Sequence, residues 1–523
     1  MKRTPLSLLV GVGMILSHAP AVAQSFPTED PIIKAIWQEG MVNSQAYSIA
    51  QVMLDSIGPR LSGSPAHKSA NEWAVQKFEE WGIPAQNEQY GTWLSWRRGI
   101  SHVDLIQPWV RSLTGMMLAW SPGTNGKVEA PVVAMPEFDS KPAFDAWLPT
   151  VAGKFVLTSM YQPTCRPDAS WEEYGTEESF QKMDAARDTA RASWSASSRA
   201  LRTELGGSVD LALEQAGALG LFSSSWAGGW GATRIFSAST DNIPVFSLPC
   251  EDYGLLHRLA QNGQGPVVRL EAESENLGVQ PIFNTIAEIR GSERPDEYIL
   301  FSAHYDSWDG GTGATDNGTG SVIMMEAARI LKQVYPNPKR TIIIGLWGAE
   351  EQGLIGSRAF AAEHPEVVSG LQAVFNQDNG TGRVANVSMQ GLMGASSHFA
   401  GWLSVVPREI TQHISLNFPG TPGGGGSDYA SFICGGAPTF SLSSLSFDYG
   451  YTWHTNFDTL DKIVFDDVMN NATLTAMLAY MASEDPQTVP RDQRVMPVNP
   501  RTGEQRTWPA CRTARTWEEY RGR

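Results

Sequence analysis

Between Ser44 and Gly82 the apolar residues recur at helical spacing. Ala70, Trp73, Ala74, Phe78 and Trp81 form one stripe after the Ser62-Gly63-Ser64-Pro65 turn. A Pro near the first turn suits a helix start, and the stripe suits a core-facing side. An earlier helix is predicted to stop before Gly58-Pro59. From about 120 to 270 the pattern changes to short apolar runs separated by turns: PVVAM at 131–135, KFVLTS at 154–159, ALGLFSS at 218–224 and IPVFSLP at 243–249. These predict a small domain of short strands. A polar segment rich in charge and Ala, at about 171–204, interrupts them and predicts an exposed helical excursion.

From about 284 strand and helix patterns alternate. TIAEIRG and EYILFSAH predict strands, and GTGSVIMMEAARILKQVY predicts an amphipathic helix. TIIIGLW is almost continuously apolar, as a strand covered on both faces must be. LIGSRAFAAEH predicts a helix, and AVFNQD and PTFSLSS predict further strands. Such alternation implies an α/β fold with a mostly parallel central sheet between helices. Ligands then gather at the carboxyl ends of the strands. The tail after about 485 is rich in Pro and Arg with little periodicity, and is expected to be a loosely packed extension.

Charge and cysteine content narrow the partners. The 523 residues carry 39 basic and 55 acidic side chains, a net charge of −16. A phosphate-backbone partner wants a basic face, so nucleic acid is not expected. The first residues combine Lys2 and Arg3, an apolar stretch from Leu6 to Leu16 and the Ala21-Val22-Ala23 cleavage pattern. This reads as a secretory signal peptide at 1–23, too short in its apolar part to span a bilayer. The mature chain is expected to be secreted or periplasmic, with no membrane attachment. Cys165, Cys250, Cys434 and Cys511 lack C-x-x-C spacing and make a poor structural-zinc set. They are expected to be buried or optionally bridged thiols, with three possible pairings.

The candidate chemistry sits where strands run out. EYILFSA ends in His304-Tyr305-Asp306, and Asp316 falls just before a helix. TIIIGLW leads into Glu350-Glu351, AVFNQ into Asp378, and His454 comes later. Imidazole with carboxylate suits zinc, and a two-ion site needs one bridging carboxylate. His304, Asp316, Glu351, Asp378 and His454 supply such a set. Glu350 is left over, and its neighbour on an extended segment points the other way, so one can hold metal while the other works on water. Asp306 is placed to receive a hydrogen bond from the second nitrogen of His304. Gly423–Gly426 lacks the Lys-Ser/Thr of a phosphate loop and reads as a mobile cleft loop, and Ser427 has no His base at motif spacing. Tyr449 and Tyr451, close before His454, are candidates to hold substrate or oxyanion.

The segments HYDSWDGGTGATDNGTGSV, RTIIIGLWGAEEQGLIGSRAF, NQDNGTG, GGSDYASF and WHTNFDTLDKI closely resemble, in order, the co-catalytic di-zinc exopeptidases related to secreted bacterial aminopeptidases and plasma glutamate carboxypeptidase. Ala303 stands where that family often has Gly. The resemblance implies a zinc-exopeptidase α/β fold at 24–118 and 271–485, a small β-rich protease-associated insert at 119–270 and a C-terminal extension at 486–523. It implies two Zn2+ per chain: His304 and Asp378 on one, Glu351 and His454 on the other, Asp316 bridging. Glu350 is implied as general base and Asp306 as the residue orienting His304. The function implied is an aminopeptidase acting on the amino-terminal bond of peptides. A dipeptidase or carboxypeptidase of the plasma glutamate carboxypeptidase type, a glutaminyl cyclase holding one zinc, and a non-catalytic binding protein are the alternatives.

Overall fold

A computed structural model describes residues 26–522; the expected signal peptide at 1–23 lies outside them. The central strand Arg294–His304 lies parallel to Arg340–Trp347 on one side and to Leu371–Asn376 on the other. Thr439–Ser444 continues the parallel order beyond Leu371–Asn376. Flanking strands are antiparallel: Val384–Ser388 runs against Thr439–Ser444, and Val267–Ile289 runs against Arg340–Trp347. The mostly parallel sheet between helices is as the alternation implies.

Period-two alternation builds a core on each face. Ile299, Phe301, Ile342, Ile344, Ala373 and Phe375 point into one, with the helices Thr319–Val334 and Phe465–Glu484. Leu300, Ile343, Trp347 and Val374 point into the other, beneath Ile355–Glu363. Every residue of Arg340–Trp347 is buried. The early helix Pro65–Glu80 starts at Ser64, whose side chain accepts the His67 N–H, with Pro65 in its first turn. Ala70, Ala74 and Phe78 are buried and Trp73 and Trp81 pack at the margin.

One element was only partly legible in the pattern, which marked TIAEI at its end and not the rest. Ala85–Gln107 and Val267–Ile289, 23 residues each, pair as a long antiparallel ribbon. Four register shifts, at Gln89/Gly91, Ser95/Trp96, Arg98/Ser101 and Leu105/Gln107, break the simple alternation that marks a strand. The ribbon links the large sheet to a second one. There Val128–Ala134, Phe155–Leu157, Gly220–Ser223 and Val245–Ser247 lie parallel in that order. These are the four short runs read from the sequence. The polar excursion is the helix Glu177–Leu205, and Lys141–Trp147, Val209–Gln215 and Cys250–Gln261 add more helix than short strands alone suggest. The 270/271 division falls inside the strand Val267–Ile289, which serves both sheets.

The open cysteine pairing is resolved, and one expectation is corrected. The four cysteines form two disulfides, Cys165–Cys250 and Cys434–Cys511. The tail, though irregular, is not loose. Beyond its disulfide, Trp508 Nε1 donates to the Ile433 carbonyl at 2.9 Å, and Arg515 donates to the Gln352 carbonyl at 2.7 Å. Trp517 and Tyr520 pack on Trp93 and Trp120. Its anchors are single aromatic and Arg side chains spaced too irregularly for a periodic signal. Among the described residues no helix is long and apolar enough to cross a membrane.

Candidate metal centre

Strand ends deliver the site. His304 closes the central strand, in register with Trp347 of the neighbouring one. Glu350 and Glu351 follow Trp347 by three and four residues, and Asp378 follows Asn376 by two. Asp316 lies in the buried turn that leads into Thr319–Val334. His454 comes from the loop after Thr439–Ser444.

Two clusters form, each with ligand atoms within 4.8 Å of one another: His304, Asp316 and Asp378, and Asp316, Glu351 and His454. Asp316 belongs to both. His304 Nε2 is 3.3 Å from Asp316 Oδ1 and 3.2 Å from Asp378 Oδ1. His454 Nε2 is 3.1 Å from Asp316 Oδ2 and 2.9 Å from Glu351 Oε2. Two donors about 2.1 Å from a tetrahedral ion stand roughly 3.4 Å apart, so these spacings are those of ligands around a common centre. Glu351 Oε1 is buried without a hydrogen-bond partner among the described residues. Buried anionic oxygens left unpaired are costly, and a cation resolves the cost. By donor chemistry and spacing, the five residues fit a pair of zinc-like ions.

The charges respond to this crowding. Burial disfavours the charged His304 ring, yet Asp378 and Glu350 outweigh it and hold the imidazolium well above its ordinary value. For His454 burial is likewise overcome, by Glu351 and Asp316, and the ring is pushed up to about 9. Burial raises Glu350 well above the carboxylate range, with Asp378, Asp428 and Glu351 adding to it against His304. Burial and then Asp316 raise Glu351. Asp316 itself ionises more readily than usual, because hydrogen bonds to His304 and His454 overcome its burial.

Asp306 does its work differently from the expectation. The His304 Nδ1 is received by the Asp306 backbone carbonyl at 3.0 Å, while the Asp306 carboxylate stands 3.6 Å away. That carboxylate accepts the Glu350 N–H at 3.0 Å, the Glu351 N–H at 3.4 Å and the Ser62 hydroxyl at 3.0 Å. It therefore fixes the Glu350-Glu351 turn, while its main chain supplies the closer contact to His304.

Three more residues shape the site. Asp458 accepts the Thr315 N–H at 2.7 Å, the Thr315 hydroxyl at 2.8 Å and the Asp316 N–H at 3.0 Å, holding the shared ligand. Burial pushes Asp458 up to about 7. Asp428 is fully buried beside the centre, close enough to raise Glu350. Arg60, also fully buried, donates to the carbonyls of Tyr305, Thr312 and Gly313. Asp458 and Asp428 lie inside the quoted motif segments WHTNFDTLDKI and GGSDYASF, a signal that was available in the sequence. Burial and the nearby charges of Asp316 and Asp378 push the Tyr449 hydroxyl well up. Tyr451 instead packs against Gly228 and Gly229. The Gly423–Gly426 loop is tied by the Tyr429 hydroxyl, which donates to the Gly425 carbonyl at 2.6 Å. Ser427 Oγ accepts from Asn376 Nδ2 at 2.9 Å.

Residues 284–479 match the family described as Peptidase family M28. The likeness runs along most of the chain. It is 27% identical to mouse Carboxypeptidase Q over 457 residues, 86% of this chain and 88% of that protein. A crystal structure of a Peptidase M28 precursor from Shewanella amazonensis superposes with a TM-score of 0.63 at 25% identity, over 88% of this chain and 97% of that one. A zinc aminopeptidase from Bacillus subtilis shares the fold, with a TM-score of 0.53 at 19% identity over 86% and 97% of the two chains. The motif resemblance is borne out, and the matches support a metallo-exopeptidase.

Proposed function

We propose that this M28 peptidase is an exported di-zinc aminopeptidase. The observation that carries the reading is the pair of clusters sharing Asp316, with Glu350 beside them and in neither. Zinc held by these residues supplies positive charge that acidifies a water molecule, polarises the scissile carbonyl and lowers the neighbouring carboxyl groups. Glu350 is the one carboxyl of the turn left uncommitted, so it receives the water's proton and returns it to the leaving amine. Asp306 holds that carboxyl in place through the two N–H groups of the turn. Asp458 holds Asp316, the ligand common to both clusters. Tyr449 presents a neutral O–H donor to the developing oxyanion, its ionisation opposed by burial.

The division into a catalytic domain at 24–118 and 271–485, a protease-associated insert at 119–270 and a tail at 486–523 goes with this reading, as does removal of 1–23 on export. A dipeptidase reading draws on the likeness to Carboxypeptidase Q, which extends through the insert. One experiment separates them: hydrolysis of dipeptides, longer peptides and amino-terminally blocked peptides, with and without a chelator. An aminopeptidase cleaves long free-amino peptides and loses activity with chelator. Cleavage confined to dipeptides moves the chain to the alternative, and cleavage of blocked peptides overturns the aminopeptidase reading.

A further inference from the structure

The two histidines of the centre are held in different ways. A metal-ligating imidazole ordinarily has its second nitrogen in a hydrogen bond, which fixes tautomer and ring plane. His304 follows that rule through the Asp306 carbonyl. His454 does not: its Nδ1 is buried and has no hydrogen-bond partner among the described residues. Its backbone also sits in the left-handed region, at φ 59°. That conformation is costly for a non-Gly residue and persists only where the surroundings impose it.

What surrounds His454 is aromatic. Trp453 stacks on its ring at a centroid distance of 3.8 Å and 27°. Phe236 stands edge-on at 5.2 Å and 84°, and Trp308 is tilted at 6.0 Å. The backbone is tied as well. Ile235 N–H donates to the His454 carbonyl at 2.8 Å, and Asn456 N–H donates to the Thr233 carbonyl at 3.2 Å. Thr233 N–H reaches Asn456 Oδ1 at 3.0 Å, and Asn456 Nδ2 reaches the Gly231 carbonyl at 3.2 Å. The Arg234 guanidinium lies 5.4 Å from the Trp453 ring, on the residue that stacks on the ligand. Phe236, Arg234 and all four of these backbone ties come from 231–236, in the segment between the two arms of the ribbon.

We infer that residues 231–236 are a positioning clamp for His454, with Phe236 setting the plane of the ring in place of the missing hydrogen bond. The smaller sheet region is then a structural part of one metal position and of only one. Among the described residues no hydrogen bond, ion pair or ring contact joins His304 or Asp378 to 231–236, so the clamp acts on the Glu351–His454 side. The inference rests on the two-ion reading.

The test uses the full-length protein, stripped of metal and titrated with zinc alone against a competing chelator. The wild type binds two ions. Phe236→Ala weakens one of them about 10- to 100-fold, the usual cost of losing a residue that orients a ligand, and leaves the other unchanged. Phe236→Leu, which keeps an apolar wall, recovers most of the loss. Melting of the metal-free variants serves as the folding control and stays at the wild-type value. Two affinities unchanged in Phe236→Ala, or two weakened equally, overturns the clamp. A wild type that binds a single ion overturns the two-ion reading instead.

Discussion

Replacing Asp458 by Asn probes how the shared ligand is held. The carboxylate is 2% exposed and receives three donors, the N–H of Thr315, the hydroxyl of Thr315 and the N–H of Asp316, at 2.7–3.0 Å. Asparagine keeps one acceptor oxygen and turns an NH2 group toward donors that the second oxygen had received. At least one buried donor is left unpaired, at about 1–3 kcal/mol, and the bonds that remain lose the help of the charge. The Asp316 main chain is one of those donors, so the loss falls on a ligand common to both clusters. A displacement cost of about 2 kcal/mol converts to roughly thirtyfold in zinc affinity. Zinc titration of metal-free Asp458→Asn against a chelating dye is expected to show both ions weakened to that extent. This contrasts with Phe236→Ala, which moves one. Zinc affinities indistinguishable from wild type, with an unchanged melting temperature in chelator, would refute the account of how Asp316 is held.

Two further predictions follow from charge and covalent structure. The metal-free protein loses stability as pH rises: Asp458, at about 7, and Glu350, Glu351 and Asp428 are raised, so their stabilising neutral forms are lost from about 4 upward. His454, raised to about 9, contributes fully below its unfolded value near 6.5 and nothing above 9, which acts in the same direction. Thermal unfolding in chelator should therefore give a lower midpoint at pH 8 than at pH 6, and a midpoint that rises with pH in chelator contradicts the reading. Removing the Cys434–Cys511 bridge, which closes a separation of 77 residues, should cost about 4.5 kcal/mol on the chain-entropy argument and expose the tail after 485 to protease. Limited proteolysis with mass spectrometry checks this, with the Cys165–Cys250 double variant expected to keep its tail intact.

The sheet was legible because its strands are simple. TIIIGLW is buried along its whole length and reads as such, and His304, Glu350, Glu351 and Asp378 stand at strand ends where an α/β sheet collects its ligands. Beyond TIAEI the ribbon was not legible, because bulges at four places reset its alternation. The tail was missed because pairwise anchors such as Trp508 on Ile433 carry no period. Disulfide pairing needs the distance between Cys434 and Cys511, which no spacing along the chain reveals. Asp306 shows a subtler limit. The residue was singled out, but the sequence does not say that its carbonyl takes the imidazole and its carboxylate takes the Glu350 turn. Phe236 lies more than 200 positions before His454 and meets it only through the fold.

The central claim is that one carboxyl moves protons while five other side chains hold two ions. Its most direct test is Glu350→Gln, measured for bound zinc and for hydrolysis of an unblocked peptide in the same preparation. The account predicts two zinc ions per chain, as in the wild type, with turnover lowered by about 10²- to 10⁴-fold, the span a general base contributes. Loss of zinc from the variant, or turnover retained with both ions in place, contradicts it.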